Sequence, residues 1–153
     1  MDDEPRVITD ATQYDLESIY KCAVSFFEYA RYEEKYGLPL DKDSFIKMVI
    51  PYVEDGICLL YRETEFGEVR GGICGMVIPW GYNNSIKICM ELFYWMDPDV
   101  RGQGIKLIKA YEERVKEAGA RNMMIQPETE LTEKIAMLYK RRGYKMLERF
   151  WIN

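Results

Sequence analysis

The stretch from residue 86 to residue 127 restricts the fold of this chain more than any other part. IKICMELFYWM (86–96) reads as a strand, DPDV is a short link, and RGQGI opens a helix with Ile105, Ile108, Tyr111, Val115 and Ala118 along one side. Gly119 stops that helix, and RNMMIQP (121–127) follows as another strand closed by Pro127. Strand, helix and strand in this order make a crossover within a sheet. Two glycines, Gly102 and Gly104, stand at the mouth of the helix. Each costs about 1 kcal/mol against alanine inside a helix, so either the backbone turns sharply there or something approaches it closely.

The rest of the chain builds around this unit. RVIT (6–9) reads as a short strand, and Leu16, Ile19, Tyr20, Ala23, Phe27 and Ala30 make one apolar face of a following helix. Residues 31–42 contain Gly37 and Pro39 and read as a loop. SFIKMVI is a short helix that ends or kinks at Pro51. ICLLYRE (57–63) and the run from Gly71 to Trp80 are strands, with FGE and WGYNNS as turns. LTEKIAMLYKRR is a last helix ended by Gly143, and YKMLERFWI closes as one bent or two short strands. The expected class is α/β, an α+β sandwich, with a central mixed sheet of about six to seven strands flanked by about four helices.

Length and composition narrow the function. The 153 residues fit one domain, 1–153, with one core. The net charge of −5 argues against a general nucleic-acid binder. The acidic start MDDEPRV is not a signal peptide, and no apolar run is long enough for a membrane span, so a cytoplasmic location is expected. Cys22, Cys58, Cys74 and Cys89 form no CxxC pair, so they read as reduced core thiols and no metal site is expected. The chain has no histidine. That removes Ser–His and Cys–His nucleophiles, His-ligated metals and a histidine base, leaving carboxylates, tyrosine, lysine and backbone amides.

Three glycine loops compete for DVRGQGIK (99–106). A P-loop needs Lys and then Ser or Thr after its last glycine, and Gly104 is followed by Ile105 and Lys106. A dinucleotide fingerprint needs a third glycine where Leu107 stands. The third is a backbone nest at a helix N-terminus, with Arg101 adding charge, which suits a pyrophosphate. Its alternative is a tight strand-to-helix turn that holds nothing.

VRGQGI (100–105) resembles motif A of the GNAT superfamily of N-acetyltransferases, Arg/Gln-x-x-Gly-x-Gly/Ala. VITDATQYDLESI (7–19) is similar to that family's opening strand and helix, and LYKRRGY (138–144) to its closing Leu-Tyr-x-x-x-Gly-Phe/Tyr. ELFYWMDPDVRGQG with KAYEERVKEAGA looks most like GNAT proteins encoded by bacteriophages. The resemblance implies a GNAT-like acyl-CoA N-acyltransferase fold, acetyl-CoA as co-substrate, and transfer of acetyl to a primary amine by direct attack in a ternary complex.

It also implies roles for particular residues. Arg101, Gly102, Gln103, Gly104, Ile105 and Lys106 would cradle the pyrophosphate. Lys106 departs from the pattern's Gly or Ala, and would either add charge or crowd the phosphates. Backbone groups of Tyr94 and Met96 would pair with the pantetheine arm. Tyr139 would protonate the departing thiolate, or else is a core tyrosine beside Ile135 and Leu138. Thr132 stands where the family often has a cofactor-side asparagine, or caps the last helix.

Glu91 is placed by its own surroundings. A carboxylate inside the otherwise apolar MELFYWM is either the amine's base or half of an ion pair. Strict strand alternation faces Glu91 away from Tyr94 and Met96, so only a bulge brings it round. Trp80, Tyr82 and Trp95 either line an acceptor pocket or belong to the core. Two functions remain open at this stage: an acetyltransferase acting on an amine, as monomer or homodimer, and a non-catalytic GNAT-fold binding or structural protein whose cradle has decayed. Neither calls for a nucleic-acid or membrane partner.

Overall fold

A computed structural model describes residues 7–153. Its elements in chain order are β1 (Val7–Asp10), α1 (Leu16–Ala30), α2 (Tyr32–Tyr36), α3 (Lys42–Glu54), β2 (Ile57–Arg62), β3 (Val69–Trp80), β4 (Asn83–Met96), α4 (Gly104–Glu117), β5 (Arg121–Met123) and α5 (Thr132–Arg141). The expected first strand is present as β1; Arg6 and the acidic start lie outside the described residues. The sheet runs β1-β2-β3-β4-β5, antiparallel up to β4, with β5 parallel to β4. The α4 crossover makes that last pairing parallel.

Both faces of the sheet are covered, which explains why β2 reads as the continuous apolar run ICLLY rather than an alternating one. Cys58 and Leu60 pack under α1 and α3 with Ile19, Ala23, Phe45 and Val49. Leu59 and Tyr61 point the other way, onto α4 with Leu107, Tyr111 and Val115. All four cysteines are buried and unpaired.

Local signals set the helix ends. Thr12 and Asp15 form a reciprocal capping box ahead of α1. Asp41 accepts from the Ser44 N–H at 2.9 Å and starts α3. Two readings need correction here. Residues 31–42 are not all loop, because Arg31 adopts a left-handed turn (φ 57°) and the chain winds once more as α2 before Gly37. Helix α3 passes through Pro51 to Glu54: proline lacks only its own N–H, and its carbonyl still accepts from Asp55 at 2.8 Å.

The strand count also differs. The described residues form five strands and five α-helices, not six to seven strands and about four helices. Residues 144–153 carry no strand, and Met146, Leu147, Phe150, Trp151 and Ile152 are exposed. In KMLERFWI the apolar residues come in adjacent groups split by Glu148 and Arg149, so no single face is apolar. Tyr144 is tied down, donating to Glu112 at 2.8 Å and accepting from Asn122 at 2.7 Å, and the chain leaves the body after it. RNMMIQP is likewise a strand only to Met123.

Candidate functional site

The shortness of β5 creates the site. It pairs with β4 at Ile88, Cys89 and Met90 only, and the two chains then part. A cleft of about 740 Å³ opens between the end of β4, the segment after β5, α5, and the α1–α3 side of the molecule. Among the described residues the edge of β4 on the β5 side has no strand partner from Leu92 to Met96.

Glu91 sits at the point of parting. A bulge lies immediately beyond it: Glu91 pairs with Gly75 and Phe93 with Cys74, leaving Leu92 as the extra residue. Leu92 and Phe93 therefore both face α1 and α3, and Tyr94 and Met96 face α4, on the same side as Cys89. The bulge thus places Glu91, which two-residue alternation puts with Cys89, on the face of Tyr94 and Met96. The side chain is 2% exposed and makes no ion pair among the described residues. Its partner is the Ile125 N–H, which donates at 2.5 Å across the split. Burial pushes the Glu91 carboxyl up to about 8, against the pull of that one hydrogen bond.

Tyr139 reaches the same place from α5. It is 8% exposed and donates to the Ile125 carbonyl at 3.5 Å, the long limit of a hydrogen bond. Ile125 thus joins Glu91 through its N–H and Tyr139 through its C=O. Burial first, and the nearby Glu91 carboxylate second, raise the Tyr139 phenol above its ordinary value and keep it protonated. Tyr94 is raised for the same two reasons.

The glycine loop is a 3₁₀ turn, Pro98–Gln103, running into α4. Neither glycine uses a positive φ. The two have different reasons. A Cβ built on Gly104 would collide with the Tyr94 hydroxyl, whereas one on Gly102 would meet nothing within 4 Å. Gly104 is the close approach, and Gly102 leaves the outer surface of the turn open. The amides do not all face outward either: those of Val100 and Gly104 bond to the Asp97 and Arg101 carbonyls. Ile105 and Lys106 are exposed in the first turn of α4.

Other expected residues lie elsewhere. The Arg101 side chain turns to the α1 side, stacked on Tyr29 and Trp95. The Thr132 hydroxyl is engaged within its own turn, accepting from the Thr129 N–H at 2.8 Å and donating to the Thr129 carbonyl at 2.6 Å. It is not the N-cap of α5; that position is Leu131. Trp95 lines the cleft, while Trp80 and Tyr82 stack on each other at the β3–β4 turn, apart from it.

Sequence reasoning missed Arg70. It donates to Asp97 at 3.0 Å, Asp99 at 2.5 Å and Glu63 at 2.9 Å, so its one charge partly offsets the two acids that lead into the glycine turn. Its position 27 residues before Asp97 left no local signal. Among the described residues no three His, Cys, Asp or Glu side chains are grouped to hold a metal, and no helix is long and apolar enough to cross a membrane.

The family model of the GNAT acetyltransferases matches residues 16–144. The chain belongs to the GNAT family. No curated protein matches it in sequence. Solved structures share the fold. A GCN5-related N-acetyltransferase from Ralstonia eutropha is 22% identical with a TM-score of 0.72, over 97% of this chain and 98% of that one. A ribosomal-protein-alanine N-acetyltransferase from Brucella melitensis is 13% identical with a TM-score of 0.72, over 98% and 99%. AAC(6')-Iy, bound to the bisubstrate analogue CoA-S-monomethyl-acetylneamine, is 14% identical with a TM-score of 0.66, over 98% and 97%.

GNAT enzymes use acetyl-CoA as co-substrate, and the residues of this site fit that group. The turn is open over Gly102, the N-terminus of α4 lies behind it, and the β4 edge from Leu92 to Met96 is unpaired next to the split.

Proposed function

We propose that this GNAT protein is an acetyltransferase that moves acetyl from acetyl-CoA to a primary amine by direct attack in a ternary complex. The observation that carries this reading is the split at Glu91: a buried carboxyl and a buried phenol meet at Ile125, beside an unpaired strand edge.

Ile105 and Lys106 amides at the start of α4, with the open turn at Gly102, would hold the diphosphate; the edge of β4 would hold the pantetheine arm as an added strand. The thioester supplies an activated acyl carbon. Glu91, through the ionised fraction that grows as pH approaches its value of about 8, takes the proton that an ammonium must lose before its nitrogen can bond to that carbon. A β4 backbone N–H is available to the oxygen that becomes negative. Tyr139 gives its proton to the sulfur as the C–S bond breaks, and its phenolate recovers one from the nitrogen, which sheds its second proton to become the amide. Holding both substrates in one cleft contributes most of the rate.

Thermal unfolding with and without acetyl-CoA tests this reading. Acetyl-CoA at about 100 times its Kd should add about 2.7 kcal/mol. Binding should then be followed by release of free thiol in the presence of an amine. No change in Tm would overturn it.

A further inference from the structure

Arg101 carries a feature that acetyl transfer alone does not use. Its Cζ lies 4.7 Å from the ring centre of Tyr29 and 5.1 Å from that of Trp95. Those rings are locked in turn, Tyr29 against Trp95 at 5.7 Å and Phe26 against Trp95 at 6.0 Å. Trp95 belongs to the α1–α3 face of the sheet. The guanidinium is therefore on the opposite face of β4 from Tyr94 and Met96, and away from the open surface of the glycine turn.

Its pairing is incomplete. Arg31, Arg62, Arg70, Arg114 and Arg142 each hold a carboxylate, and Arg121, Arg141 and Arg149, which hold none, are exposed to solvent. Among the described residues Arg101 holds none, and its Nη2 is sealed from water without an acceptor. Stacking on aromatic rings compensates a guanidinium over its faces and leaves the N–H edge unsatisfied.

The cleft around it is otherwise short of charge. Four formally charged side chains line it: Asp41, Glu91, Arg101 and Lys134. Asp41 and Lys134 are exposed and of opposite sign, and Asp41 is already engaged in capping α3. Burial holds Glu91 largely protonated at neutral pH. One fixed positive charge is left, in a cleft walled by Phe26, Tyr32, Phe45 and Phe93.

We propose that the acceptor amine carries a carboxylate on an apolar body, as an apolar amino acid does, and that Arg101 takes this carboxylate through its N–H edge. The proposal rests on the acetyltransferase reading of the same cleft, and its tests separate the two.

The probes are L-phenylalanine and phenethylamine, which share amine and ring and differ by the carboxylate, with 3-phenylpropionate as a probe that has no amine to acetylate. The wild-type protein should favour phenylalanine by about ten- to hundredfold in kcat/KM, the range of a charge-assisted hydrogen bond. Calorimetry should show 3-phenylpropionate binding, weakened at least tenfold in Arg101→Gln and less in Arg101→Lys, which keeps the charge without the fork. The Tm gain with acetyl-CoA is measured on the same variants. A wild-type protein that gains Tm with acetyl-CoA but neither binds 3-phenylpropionate nor favours phenylalanine overturns the carboxylate proposal alone. So does an Arg101→Gln protein that loses the acetyl-CoA gain, since the arginine then serves the cofactor. No acetyl-CoA gain in the wild type overturns the underlying function, and this proposal with it.

Discussion

Replacing Glu91 by glutamine should make the protein's stability nearly independent of pH where the wild type loses it. In the wild type the carboxyl rises from an ordinary 4.5 to about 8 on folding. Below 4.5 it is protonated in both states and costs nothing. Between 4.5 and 8 the unfolded chain releases the proton and the folded one keeps it, so stability falls as pH rises. Above 8 both states are ionised and the full cost is present. At about 1.4 kcal/mol per pH unit, that cost is about 5 kcal/mol, of which about 3 is reached by pH 7. A domain of this kind has about 5–15 kcal/mol in all. No histidine is present to titrate in the same window, so the slope belongs largely to one group. Glutamine keeps an oxygen for the Ile125 N–H and cannot ionise. The assay is urea unfolding of both proteins at pH 5.5, 6.5, 7.5 and 8.5. The wild type should lose about 1.4 kcal/mol per unit to pH 7.5 while Glu91→Gln stays flat over that range; toward pH 8.5 the buried thiols of Cys22, Cys74 and Cys89, also raised by burial, lower both proteins alike. Parallel curves would mean that Glu91 is solvated in the native state, and the account of its burial would fail.

Three further outcomes follow from the same geometry. Gly104→Ala, normally a gain at a helix start, should cost about 1–3 kcal/mol because the new methyl meets the Tyr94 hydroxyl; Tyr94→Phe in the same chain should restore most of it in chemical denaturation. Arg70→Ala leaves Asp97 and Asp99 uncompensated beside the glycine turn, so calorimetry should show acetyl-CoA binding weakened about three- to tenfold, more at low salt; an unchanged Kd would show that these acids do not face the phosphates. Tyr139→Phe should lower kcat about a hundredfold or more with the acetyl-CoA gain in Tm intact, and an unaltered kcat would remove its role as acid.

Apart from α2, the order of elements from β1 to α5 was legible because each change of period is bounded by turn residues or a breaker: Gly37 and Pro39, FGE, WGYNNS and Gly119. The final strands were not, because KMLERFWI has strand composition without strand alternation, and composition alone does not place a segment in a sheet. Helix α2 was hidden for the opposite reason. Its five residues are too few to show a period, and Arg31, not a glycine, makes the left-handed turn before it.

The candidate site shows a sharper division. Residues proposed for a role on a short local pattern, Gly102 to Lys106 and Tyr139, could be picked out one by one. Those whose role depends on what the fold brings beside them could not: Arg70 meets its acids across 27 and 29 positions, and Arg101 finds its aromatic partners on a different face of the sheet. Glu91 lies between the two kinds. Alternation alone contradicts a role for it beside Tyr94, and that contradiction is itself informative, since a buried carboxylate with no ion pair is costly whatever it does. One extra residue, Leu92, resolves it. Deleting Leu92 should therefore remove a core side chain and the local kink without reversing the end of β4, because Glu91 and Phe93 already pair with the consecutive residues Gly75 and Cys74. Acetyl-CoA binding by calorimetry and the pH dependence of stability by urea unfolding should then survive the deletion, as in Leu92→Ala, and their joint loss would show that the site depends on the backbone of the bulge itself and not only on which way Tyr94 and Met96 face.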